Sequence, residues 1–168
     1  MELRRIPSGA LAGTVAAGVW AAQQPLDKRV FRSDYDDVEL LAKLVTRDSG
    51  WQAAGLAIHL ANGAAFGAVY ALLRPLFPGP PQAAGVAAGL GEHVATWPLT
   101  ALVDRKLAGD RRAFAQSAWR HALFGLVLGE LERRLNRDVQ FEPLEQVPAS
   151  SNGHGNIEHA AAGATEAP

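Results

Sequence analysis

WQAAGLAIHLANGAAFGAVYALL (51–73) decides the fold reading, because with Ser49 and Gly50 it makes a run of 25 residues without Asp, Glu, Lys or Arg. A soluble amphipathic helix needs a polar outer face, and this stretch has no charge to place there. A bilayer-spanning helix takes roughly 20 mostly apolar residues. The run therefore predicts a transmembrane helix, with His59 and Asn62 near its middle.

Three further runs lie around it. Residues 6–26 are charge-free, residues 83–103 are broken by Glu92 alone, and residues 113–131 contain Arg120 and Glu130. Charged connectors separate them at 27–48, 74–82 and 104–112. The pattern predicts an all-α, four-helix transmembrane bundle within a helical membrane domain of residues 1–147. Beyond it, residues 148–168 read as a disordered tail, rich in Pro, Ser, Asn, Gly and Ala and carrying His154 and His159. A chain of 168 residues allows one domain of moderate size. Sixteen basic against 17 acidic residues leave no concentrated positive surface, so no nucleic-acid partner is expected. The absence of cysteine excludes disulfides and thiol catalysis. Arg4 and Arg5 before the first run also fit a signal peptide.

Small residues recur at spacing four: Gly9 and Gly13, Gly63 and Gly67, Gly85 and Gly89, Gly125 and Gly129. Such GxxxG stripes let membrane helices approach closely. Two anchors also repeat. Trp20 and Asp27-Lys28-Arg29 return as Trp97 and Asp104-Arg105-Lys106, offset by 77; His59-x3-Gly-x3-Gly returns at His121, offset by 62. Two tandem helical hairpins are the expected arrangement, with residues 6–26 retained as a helix. Both charged connectors would then share one side, and their nine basic residues against six on the other side favour a cytoplasmic location for them. SDYDDVELLAKLV, within the first connector, predicts a short amphipathic helix at about 34–46. Its features are Ser33 as N-cap and an apolar stripe of Val38, Leu41, Ala42 and Val45. It would lie in the interface or cover the end of the bundle. Trp20, Trp51 and Trp97, near run ends, read as interfacial anchors.

His59, His93 and His121 sit near the middles of three runs, with Asn62, Glu92 and Arg120 beside them. Charges at that depth are costly, so these residues should face inward and pair, Glu92 with Arg120. One use of the cluster is hydrogen-bonded glue between helices. Others are an ion or proton path, or a metal site of three imidazoles and a carboxylate. No Walker loop, dinucleotide fingerprint or nucleophile elbow is present, so no cofactor and no catalytic residue is expected. The leading expectation is a non-enzymatic structural or assembly protein partnered by the lipid bilayer and by a second copy or a larger membrane complex. A small transport or conducting module built on the polar cluster is the alternative, followed by a His-ligated metal enzyme.

The segments PLDKRVFRSDYDDVELL (25–41), HLANGAAFGAVYALLRPLFP (59–78), GEHVATWPLTALVDR (91–105) and WRHALFGLVLGELERRLN (119–136) resemble those of small, four-span, uncharacterised membrane proteins of actinobacteria. The resemblance implies four spans and a multi-pass location in the bacterial plasma membrane. That family has no established activity, so no catalytic residue is implied.

Overall fold

The computed structural model describes residues 2–46 and 48–136; the expected tail at 148–168 lies outside them. Among the described residues the chain is helical, without strands. Helix α1 spans Arg5–Phe31, α2 Asp37–Ala42, α3 Trp51–Leu73, α4 Pro81–Val103 and α5 Arg111–Leu135. Short 3-10 turns precede α1 and follow α3 and α4.

The four long helices fall where the charge-poor runs predict them, with shifted ends. α1 continues past residue 26, so Asp27, Lys28 and Arg29 form its last turn rather than the start of a connector. It stops where Arg32 enters the left-handed region (φ 51°) and its N–H reaches the Lys28 carbonyl. α2 is shorter than residues 34–46, and its N-cap is Asp36, not Ser33. The Asp36 carboxylate accepts from the Glu39 amide at 3.0 Å. Beyond Ala42 the chain coils into turns, leaving Val45 exposed outside the expected apolar stripe.

Glycine decides how the long helices meet. A Cβ at Gly9 or Gly13 would land on the backbone of Gly67 or Gly63, and one at Gly63 or Gly67 on that of Gly13 or Gly9. Gly85 and Gly125 exclude a side chain from each other in the same way, Gly89 meets the His121 carbonyl, and Gly129 meets that of Pro81. Antiparallel α1–α3 and α4–α5 pairs result, each with helix backbones in direct contact. Gly13 and Gly85 occupy matching places against Gly63 and Gly125, and are 72 residues apart. Trp20 and Trp97 are 77 apart, so those anchors stand five residues out of register with the glycine contacts.

The pairs join through α1 and α5, and the core they share with α3 buries Ala12, Ala16, Ala17, Trp20, Tyr70, Phe124 and Leu128. Contacts run α3–α1–α5–α4, with no comparable packing of α3 on α4. A cleft therefore opens between α3 and α4, and α2 packs on α3 near one end of it.

One helix, with its following turn (Trp51–Leu76), is long and apolar enough to cross a membrane by length and composition. The expectation of four spans reduces at this level to that one segment. α5 carries Arg111, Arg112, Arg120, Glu130, Glu132, Arg133 and Arg134, and α1 and α4 owe much of their length to Gly, Ala, Thr and Gln.

Candidate functional site: a histidine-lined cleft backed by a buried ion cluster

Five of the six residues of the expected polar cluster line one cavity of about 220 Å³. α3 supplies His59 and Asn62, α4 supplies Glu92 and His93, and α5 supplies His121. The histidines are buried, whereas Asn62 is exposed and the Glu92 side chain is 38% exposed at the cleft. Aromatic walls come from Trp20, Tyr35, Phe66, Trp97 and Phe124, and α2 contributes Asp37.

One hydrogen bond places a proton on an imidazole nitrogen. His121 Nδ1 lies 2.8 Å from the Ser117 carbonyl, which can only accept, so that nitrogen carries a proton. The Ser117 hydroxyl lies 3.2 Å from His93 Nδ1 and 3.4 Å from His121 Nδ1. His93 Nε2 is buried and has no hydrogen-bond partner among the described residues. His59 Nε2 is likewise buried without a hydrogen-bond partner among the described residues. His121 Nε2 faces Glu92 Oε2 at 3.4 Å. The Trp20 indole packs edge-on against both His59 and His121, at centroid distances of 5.1 and 4.6 Å. The cleft thus brings three imidazoles, the Asn62 amide and the Asp37 and Glu92 carboxylates between aromatic faces.

Arg120 departs from expectation. It does not pair with Glu92, because Arg120 and His121 are adjacent on a helix and point about 100° apart. His121 takes the face toward α4, and Arg120 the face toward α1 and α2. There its fork grips Asp27, with Nε and Nη2 each 2.6 Å from a carboxylate oxygen, while Nη1 bonds Asp37. Gln116 and Gln23 donate to Asp27 at 2.7 and 2.6 Å, and Trp20 Nε1 donates to Asp37 at 2.8 Å. Tyr35 lays its ring 5.6 Å from the guanidinium carbon. Burial, then the neighbouring Asp37 charge, pushes the Tyr35 phenol well above its usual range, so it stays a neutral hydroxyl. Lys28 bonds Asp36 at 2.8 Å and ties α2 back to α1.

Trp20, read as an interfacial anchor, is a core residue, and Trp97 is a cleft wall. The sequence reading left Asp27, Tyr35 and Asp37 among connector residues. A clue was present: an arginine inside a charge-poor run requires acids, and the 27–39 segment is rich in them. A second buried pair joins Arg5 and Glu132 near the other end of α1 and α5. There Asn136 donates to Glu132 at 3.1 Å and Ser8 to Asn136 at 2.9 Å. Among the described residues no group of three or more His, Asp or Glu is arranged to hold a metal ion.

Comparison of the chain with family models, with characterised proteins and with solved structures returned no match.

Proposed function

We propose that this chain is a multi-pass helical membrane protein acting as a small transport or ion- and proton-conducting module, with its site in the α3–α4 cleft. The convergence of His59, Glu92, His93 and His121 on one cavity between aromatic walls carries the reading. Ionisable side chains held at the depth of a membrane helix mark ion and substrate paths. Membrane placement draws on α3, whose apolar window is only 28% buried inside the fold. A soluble core helix would hide that surface. Leu11, Val15, Val19, Leu90, Val94 and Leu126 add exposed apolar side chains on the other long helices. Bacterial plasma membrane is the proposed location, two tandem hairpins the proposed architecture, and the uncharacterised four-span proteins of actinobacteria the proposed relatives.

An assembly component is the second reading. Its support is the same exposed apolar surface, not the glycine stripes, since all eight glycines face other helices of this chain. Flux measurement separates the two. In proteoliposomes with a trapped pH dye, the transport reading expects proton flux well above protein-free vesicles, falling at least fivefold in Glu92→Gln. Flux at the protein-free level, or insensitive to Glu92→Gln, overturns it.

A further inference from the structure

We infer that the cleft between α3 and α4 binds a small protonated amine carrying a single aromatic ring. The inference rests on the cleft being a ligand site and names the class of ligand. Three independent features of the cavity select that class.

Charge comes first. The cavity lining includes the carboxylates Asp37 and Glu92 and no lysine or arginine. Arg120, behind Asp37, is the cation that answers Asp27 and Asp37 together. The formal charges of Asp27, Asp37 and Glu92 against Arg120 leave an excess of two carboxylates. Uncompensated charge in a low-dielectric site is costly, so a bound cation is favoured and an anion disfavoured.

The second feature is the make-up of the walls. Trp20, Tyr35 and Trp97 supply walls on which a cation and a ring are both favoured.

Size completes the argument. A cavity of about 150 Å³ holds benzene, and about 220 Å³ adds room for an aminomethyl group.

Three probes of one shape test this on the full chain in mild detergent, by isothermal titration calorimetry: benzylammonium, benzyl alcohol and benzoate. Benzylammonium should bind at least tenfold more tightly than benzyl alcohol, and benzoate should not bind. Glu92→Gln should weaken benzylammonium at least fivefold and leave benzyl alcohol unchanged. Equal affinity for benzylammonium and benzyl alcohol, or a preference for benzoate, overturns the cation assignment while leaving the cleft a ligand site. Folded wild-type protein that binds none of the three overturns the ligand-site reading as well. The comparison among probes is made on the wild type, so it stands even where the variant fails to fold.

Discussion

Arg120 shares its donors among two carboxylates and the Tyr35 carbonyl, and no part of its side chain reaches solvent. Removing one partner of a buried ion cluster strands the others without compensation, which typically costs about 3–5 kcal/mol. Arg120→Met should therefore unfold the chain or lower its thermal midpoint sharply, as followed by circular dichroism in detergent. Arg120→Lys should recover little of this loss, because an ammonium cannot grip Asp27 through two parallel bonds while also reaching Asp37. Asp36 gives a pH-dependent counterpart. Burial would raise its carboxyl, but the Lys28 hydrogen bond and the Glu39 amide outweigh that and hold it below its usual value. A carboxylate with a depressed folded value stabilises fully above the unfolded value of about 3.9. That contribution is lost as pH falls through the folded value. Hydrogen exchange of the α2 amides should accordingly speed up on acidification, and Asp36→Asn should flatten the acid dependence while keeping the cap, since Asn caps about as well as Asp.

Among the helices, glycines divide by what faces them. Gly13, Gly63 and Gly125 leave no room for a Cβ against the opposing backbone, whereas Gly18 and Gly91 meet nothing within 4 Å. Gly13→Ala, Gly63→Ala and Gly125→Ala should each force helices apart and destabilise the fold. Gly18→Ala and Gly91→Ala should be neutral or stabilise by up to about 1 kcal/mol, because alanine is the better helix former. A thermal-unfolding series across the five variants checks the ordering; equal effects at all five would contradict the contact assignment. The spacing-four stripes made these glycines visible in the sequence. Which stripe meets which was not visible, and α1 pairs with α3 because both present glycines at matching heights.

At the scale of the whole molecule, both charged connectors border one surface depression, to which Arg32, Asp34, Asp36, Lys106 and Asp110 contribute. If the long helices cross a bilayer, both connectors lie on one side of it and the turn after α3 on the other. The cysteine-free chain is a ready background for testing this. Single variants Asp34→Cys and Ala108→Cys should be labelled by an impermeant thiol reagent from one side of the membrane, and Pro78→Cys from the other. Labelling of all three from the same side would exclude the multi-pass proposal.

The sequence alone determined the helical class, the approximate positions of the four long helices and the small-residue stripes, and it singled out His59, Asn62, Glu92, His93 and His121 as polar residues inside charge-poor runs. Each of these is local: a charge-poor run, a spacing of four, or a histidine near the middle of a run can be read without knowing its neighbours. Arg120 marks where local reading ends. Its depth suggested Glu92 as partner, yet one residue of helical rotation separates the face that meets α4 from the face that meets α1. Only the tertiary structure brought Asp27 and Asp37 from a segment read as a charged connector onto that buried guanidinium. The open side of the row α3–α1–α5–α4, where the cleft lies, was likewise decided by which glycine faces dock, a choice made between helices and not within any one of them.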